Sequence, residues 1–453
     1  MRMKSLLSSL AIAATLFASM SQSGSAAGLG DINHIIVIYL ENRAFDNLYG
    51  AFPGADGRAN AGAAATQVDR DGRPYATLPQ PVDTNQKPAA PDPHFPANLP
   101  NQPFQIDQYM AIDQITGDLV HRFWHEQMQI DSGKMDKFVA YSDSAGLAMG
   151  FYDGSKMKLW DWAKRYTLAD RFFHSAFGGS FLNHFHLICA CAPRFENAPA
   201  SLVAKLDAAG NLVMPGPDQI TPDGYAVNTM QPLNPPFSPS ATDPAKRLPV
   251  QDMKTIGDEL SEKGIDWAWY SGGWNDAAAG HPDKLFQFHH QPFVYFKNYA
   301  PGTDARAKHL KDEVDLEKAI ADGSLPAVVF YKPIGTLNEH PSYSEIMAGD
   351  AHIDDLLTKM EKSPVWKDSV IVITYDEHGG YWDHVPPPKR DRWGPGLRVP
   401  TLIISPFAKR GYVDHTVYDT TSILKLVEQR FGVAPLGDSD RNAGDLTNAL
   451  NLQ

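Results

Sequence analysis

Past the N-terminal stretch, the first strong pattern in the chain is Ile32 to Leu40, INHIIVIYL, in which Ile35 to Leu40 runs without a polar residue. A continuous β-branched run, rather than an alternating one, predicts a strand buried on both faces, as in the interior of a parallel sheet. Similar runs recur at Ile265 to Tyr270, Ala327 to Tyr331, Ser369 to Tyr375 and Thr401 to Ser405. Helical patterns lie between them, around Met253 to Lys263, Asp350 to Lys362 and Asp419 to Phe431. Earlier ones occupy the first half of Gly117 to Asp136 and Leu159 to Tyr166, and another opens at Ser180. Strands alternating with helices predict an α/β fold with a mostly parallel central sheet. In that architecture ligands sit outside the carboxyl ends of the strands.

Two long segments break the pattern. Residues 51–105 are rich in Ala, Pro, Gly, Asn and Asp, and residues 193–250 carry frequent Pro. Both read as irregular excursions, the first a surface loop of the kind that often covers a site, the second an insertion or cap. At the N-terminus, Arg2 and Lys4 precede the apolar run Leu6 to Phe17 and small residues up to Ala26 or Ala27. This is the layout of a secretory signal peptide over residues 1–27, and it predicts an exported protein, periplasmic or secreted. No other window approaches 18 consecutive apolar residues, so no integral membrane segment is expected. The only cysteines, Cys189 and Cys191, are separated by one residue. Regular helix or strand geometry does not hold such neighbours at disulfide separation, so two buried free thiols are expected.

Composition narrows the function. The chain has 453 residues, 43% of them hydrophobic, with a formal net charge of -13. That excludes a disordered chain, and the acidic balance argues against a nucleic-acid binder, whose partner is a polyanion. The 16 His carry chemical content, because imidazole ligates metals and moves protons near neutral pH.

Acidic signals leave two predicted strands: Glu41 and Asn42 in YLENRAFDNLYG, and Asp376 and Glu377 in VIVITYDEHGGYWDHV. Each pair alone reads equally as a turn or a helix cap. Together they offer four oxygen ligands at neighbouring strand ends, a cage for a hard or borderline divalent cation. Adjacent buried carboxylates repel each other unless a cation or proton intervenes, which favours a metal. In GGSFLNHFHL, Ser180 follows two glycines at a helix start. It reads as an N-cap or as a nucleophile presented beside backbone N–H groups, and coordination to a divalent metal is one way to activate such a hydroxyl. His121, His289, His290 and His352 are the remaining candidates, as protonated rings that neutralise a phosphate or donate to a leaving oxygen.

The segments ENRAFDNLYG, HRFWHEQMQIDSGKMDKFV, GGSFLNHFHL and YDEHGGYWDHV together resemble the bacterial phosphoesterase family of secreted acid phosphatases and non-specific phospholipases C, over about residues 33–432. The phospholipase branch usually carries a PTxPNR-like segment and a twin-Arg signal; GSFLNH and the lack of twin Arg make this chain more similar to the acid phosphatases. The resemblance implies an alkaline-phosphatase-like three-layer fold in one catalytic domain, residues 28–453. It implies that Glu41, Asn42, Ser180, Asp376 and Glu377 ligate one divalent metal, which is Ca²⁺, Mg²⁺, Mn²⁺ or Zn²⁺, with Ser180 as the nucleophile. His121, with His125 as its competitor, and His289, His290 and His352 would surround the phosphoryl group, and Asn183 joins them as a substrate contact. The implied reaction is hydrolysis of small phosphomonoesters through a phosphoserine. The alternatives are a phospholipase C acting on diesters and an exported binding protein on the same fold. A sulfatase is disfavoured, because Ser180 is followed by Phe181, Leu182 and Asn183 rather than by a C/S-x-P-x-R context.

Overall fold

The uninterrupted run after residue 34 becomes the central strand of the molecule. The computed structural model describes residues 27–452, so the expected signal peptide lies, but for its last residue, outside the described residues. Eight strands form the main sheet: β1 His34–Leu40, β2 Thr167–Ala169, β3 Trp267–Ser271, β4 Leu310–Asp312, β5 Val328–Lys332, β6 Ser369–Tyr375, β7 Thr401–Ile404 and β8 Tyr412–Asp414. Their order across the sheet is β8-β2-β7-β6-β1-β5-β3-β4. Only β7 runs against its neighbours; every other pairing is parallel. In register, Ile36 stands opposite Val329 on β5 and Ile371 on β6. Side chains on both faces of β1, β5 and β6 are buried almost throughout, which is why these strands read as continuous apolar runs.

The five expected strands are all present. Three more, β2, β4 and β8, have only three residues each, too few to show a pattern. The longer helices are α1 Phe123–Ile130, α2 Lys158–Arg165, α3 Ser180–Cys189, α4 Ile256–Glu262, α5 Glu313–Asp322, α6 Ile346–Lys362 and α7 Thr420–Phe431. Local chemistry sets their limits. A capping box between Asp419 and Ser422 opens α7, and Gly432, with φ of 64°, closes it. Helix α3 is buried along its whole length and packs against α7.

The cysteines differ from expectation. Helix α3 stops at Cys189, and Ala190 turns into the left-handed region with φ of 49°. That turn brings the Cα atoms of Cys189 and Cys191 to 5.1 Å, and the two form a disulfide. The free-thiol reading assumed regular backbone across both residues, and the helix end removes that assumption.

Residues 51–105 contain only turns, single-turn helices and two-residue strands. Residues 193–250 are held mainly by isolated bridges such as Arg194 to Tyr225 and Pro232 to Leu248. The second excursion reaches the site described next.

Candidate active site

Because β6, β1 and β5 are adjacent and parallel, their carboxyl ends deliver side chains to one place. β1 is followed by Glu41 and Asn42, β6 by Asp376 and Glu377, and β5 ends in Lys332. Asn42 has φ of 58°, a conformation that Asn tolerates better than most residues. Its backbone N–H donates to Asp376 Oδ1 at 3.2 Å. Gly379 passes so close that a Cβ there would sit 2.2 Å from the Asn42 carbonyl oxygen, which explains the first glycine after the acidic pair.

Ser180 arrives from the other direction, as the first residue of α3. The turn before it needs Gly178, whose φ is 90° and whose N–H donates to Glu126 Oε2 at 2.5 Å. Ser180 Oγ lies 3.2 Å from Glu41 Oε2 and 3.3 Å from Asn42 Oδ1. Thus the hydroxyl and the two side chains that leave β1 share one point, with the positive end of the α3 dipole directed at it.

Buried acids, a lysine and two histidines set the electrostatics. Lys332 Nζ lies 2.7 Å from Glu41 Oε1 and 3.1 Å from Asp376 Oδ2. His290 Nε2 lies 2.5 Å from Glu41 Oε1. Burial alone would raise Glu41, but the Lys332 ammonium and the His290 ring outweigh it and hold the carboxyl well below its usual range. Asp376 is pushed up to about 6 by burial and by Glu41. Glu377 is raised further by burial and by Asp376. Burial drives His289 well below the usual histidine range and His290 down to about 4. Among these buried groups Lys332 is the cation that bridges the two acids.

A cavity of about 250 Å³ opens over Ser180. His121, His289, His290 and His340 line it together with Glu41, Gly179 and Tyr343. The 193–250 excursion supplies Gln219, Asn228 and Thr229 to its wall. His121 Nε2 lies 3.4 Å from Asn42 Nδ2 and 3.7 Å from Glu377 Oε1. His121, His289 and His290 thus lie around Ser180 and Glu41 in one cavity.

Two expected residues do not. His352 sits on α6, its Nε2 2.6 Å from the Tyr331 hydroxyl and 3.3 Å from Glu313 Oε1, and it does not line the cavity. The Tyr331 side chain and Lys332 alternate across β5, so a partner of Tyr331 lies on the face away from Lys332. Asn183 is fully buried one turn into α3 and braces the loop instead of facing substrate. Its Oδ1 accepts from Ala176 N at 2.9 Å, and its Nδ2 donates to Ala176 O and Gly179 O at 3.0 and 3.2 Å. His125, the competitor of His121, lines a neighbouring cavity. Sequence reading missed Lys332 and His340. A charged residue ending the buried run VVFYK was the available signal for the first; His340, in NEHPSY, carries none.

The oxygen donors fit a divalent cation. Glu41, Asp376 and Glu377 are buried against a single ammonium, which leaves a charge excess that a divalent ion offsets. Glu377 Oε1 has no hydrogen-bond donor although it is sealed from solvent. Carboxylates, the Asn42 amide oxygen and a hydroxyl form a hard, oxygen-only set.

Against known proteins, residues 32–434 match the model of the Phosphoesterase family. The chain belongs to the Phosphoesterase family. It is accordingly a phosphoric ester hydrolase. Phospholipase C B of Mycobacterium tuberculosis is 23% identical over 94% of this chain and 78% of that protein. The non-hemolytic phospholipase C of Pseudomonas aeruginosa is 24% identical over 94% of this chain and 58% of its own length. Among solved structures, a protein of the alkaline phosphatase superfamily from Vibrio parahaemolyticus aligns with a TM-score of 0.35 at 12% identity, covering 66% of each chain. Murine ectonucleotide pyrophosphatase/phosphodiesterase 5 aligns with a TM-score of 0.35 at 10% identity, covering 64% of this chain and 93% of that one.

Proposed function

We propose that this phosphoesterase is an exported, metal-dependent acid phosphatase that hydrolyses phosphomonoesters through a phosphoserine on Ser180. The observation that carries the reading is the placing of Ser180 Oγ between Glu41 and Asn42, at the floor of a small cavity whose walls are mostly polar. At about 250 Å³ the cavity falls below the usual range for small-molecule pockets, and it suits a phosphoryl group with little else attached. The GSFLNH segment around the nucleophile supports the acid-phosphatase branch.

In this reading Ser180 Oγ attacks phosphorus in line with the leaving oxygen. Glu41 Oε2, 3.2 Å away, is the nearest acceptor for the hydroxyl proton. A divalent ion held by Glu41, Asn42, Ser180, Asp376 and Glu377 would lower the hydroxyl pKa and offset charge on the phosphoryl oxygens. Lys332 offsets the charge of Glu41 and Asp376, while His121, His289, His290 and His340 line the space around the phosphoryl oxygens. The P–O bond to the leaving group breaks, the proton taken from Ser180 ends on that oxygen as the alcohol departs, and water then cleaves the phosphoserine to release phosphate and restore the Ser180 hydroxyl.

A second reading, hydrolysis of phospholipid diesters, draws on the phospholipase C relatives and on one structural observation. A cavity of about 630 Å³ shares Val120, Arg122 and Asp143 with the catalytic one, and Leu212, Met214 and Tyr141 give it apolar wall. Side-by-side turnover of a phenyl phosphate and of phosphatidylcholine separates the two. Preference for the monoester supports the phosphatase, and preference for the lipid overturns it in favour of the second reading.

A further inference from the structure

Behind the nucleophile loop lies a cluster that the catalytic site does not use. Glu126 projects from α1, His174 precedes the Gly178–Gly179 turn, and His378 follows Glu377 directly. All three side chains are fully buried, and their donor atoms lie within 4.8 Å of one another.

The hydrogen bonds fix which ring nitrogens carry protons. His174 Nδ1 is 2.8 Å from the Ala176 carbonyl oxygen, and His378 Nδ1 is 3.2 Å from that of Tyr381. A carbonyl only accepts, so each Nδ1 carries the hydrogen. A neutral ring then turns the Nε2 lone pair inward. His174 Nε2 lies 3.0 Å from Glu126 Oε1, and His378 Nε2 lies 3.8 Å from Glu126 Oε2. Neither Nε2 has a hydrogen-bond partner. At both places a ring nitrogen faces a carboxylate oxygen across a gap that, among the described residues, no hydrogen bond closes.

A cation among the three donors closes both gaps. Donation of the other ring N–H to a backbone carbonyl is also the usual arrangement of a metal-ligating histidine. Glu126 is oriented for the task by Gly178 N–H on Oε2, at 2.5 Å, and Leu397 N–H on Oε1, at 2.9 Å. Among the described residues, the two other clusters of this kind carry no such argument. Asp46, Asp383 and His384 already have the Arg398 guanidinium, 2.9 Å from Asp383 Oδ1, whereas His121 and His340 line the catalytic cavity.

We propose that Glu126, His174 and His378 hold a divalent ion of the zinc class, separate from the oxygen cage at Ser180, that ties the nucleophile loop to the chain leaving β6. Two imidazoles and one carboxylate favour zinc over calcium or magnesium. Burial on every side makes the role structural.

The test uses the full chain, loaded with zinc alone and dialysed against a weak chelator. Asp376→Asn weakens the oxygen cage; in that variant about one zinc per chain should remain, and its X-ray absorption should show two nitrogen donors at about 2.0–2.1 Å. Adding His174→Gln should remove that ion. Retention of zinc in the double variant, no zinc in Asp376→Asn, or an oxygen-only absorption spectrum would overturn the assignment. If the double variant fails to fold, the spectrum of Asp376→Asn decides alone.

Discussion

Lys332 Nζ lies 2.7 Å from Glu41 Oε1, and water reaches neither side chain. Asp376 Oδ2, at 3.1 Å, makes the lysine a bridge between the acids that leave β1 and β6. Replacing it with a neutral side chain leaves two carboxylates buried without their counter-charge. Breaking such a pair costs about 3–5 kcal/mol. Lys332→Met should therefore lose stability on that scale in denaturant titration of metal-free protein, and a divalent ion should recover part of it. A variant as stable as wild type would mean that the bridge contributes nothing.

Asn183 is a loop brace, not a substrate contact. Asn183→Ala orphans buried groups at Ala176 and Gly179, at a cost of about 1–3 kcal/mol. Thermal unfolding should report that loss. Steady-state kinetics should show kcat falling while KM stays near wild type, because Ser180 is displaced and no substrate contact is removed. A rise in KM alone would return Asn183 to the substrate-binding set.

His340 takes the place beside the cavity that the sequence suggests for His352. His340 lines the catalytic cavity, its ring 5.8 Å from that of His121, whereas His352 bonds the Tyr331 hydroxyl elsewhere. His340→Ala should lower kcat/KM, because it removes a ring from the wall of the cavity over Ser180. His352→Ala should leave it unchanged. The reverse order of effects would contradict the geometry.

These two histidines also mark how far the sequence carries. The long buried strands and the acids after them were readable because burial on both faces leaves an unbroken apolar run, and a charge ending such a run stands out. That logic singled out Glu41, Asn42, Asp376 and Glu377, and GGS before an apolar helix singled out Ser180. It had equal purchase on Lys332, at the end of VVFYK, but a lysine there also reads as a solvated strand end. His340 lies in an irregular segment after β5, where neither period nor spacing says which way a side chain points. The disulfide stayed hidden for a similar reason, since it depends on a single left-handed residue at a helix end.

Away from the oxygen cage, Glu339 makes stability depend on pH. Burial pushes its carboxyl up to about 8, with the Tyr375 hydroxyl 2.7 Å from Oε2 giving partial relief. The folded state then keeps a proton that the unfolded chain, at its ordinary value of 4.5, has already released. Stability should fall as pH rises from about 4.5 to 8, with this residue contributing up to about 1.4 kcal/mol per unit. Glu339→Gln should flatten the slope in a series of denaturant titrations across that window. An unchanged slope would assign the dependence to other groups.

The central claim is that Ser180 takes the phosphoryl group. Acid quenching during turnover of a phosphomonoester, followed by peptide mass spectrometry, tests it most directly. The account predicts a phosphoryl group on the peptide at Ser180, absent in Ser180→Ala, together with a fall in kcat on the order of 10⁴ or more in that variant. A phosphorylated histidine, or near-normal turnover by Ser180→Ala, would contradict it.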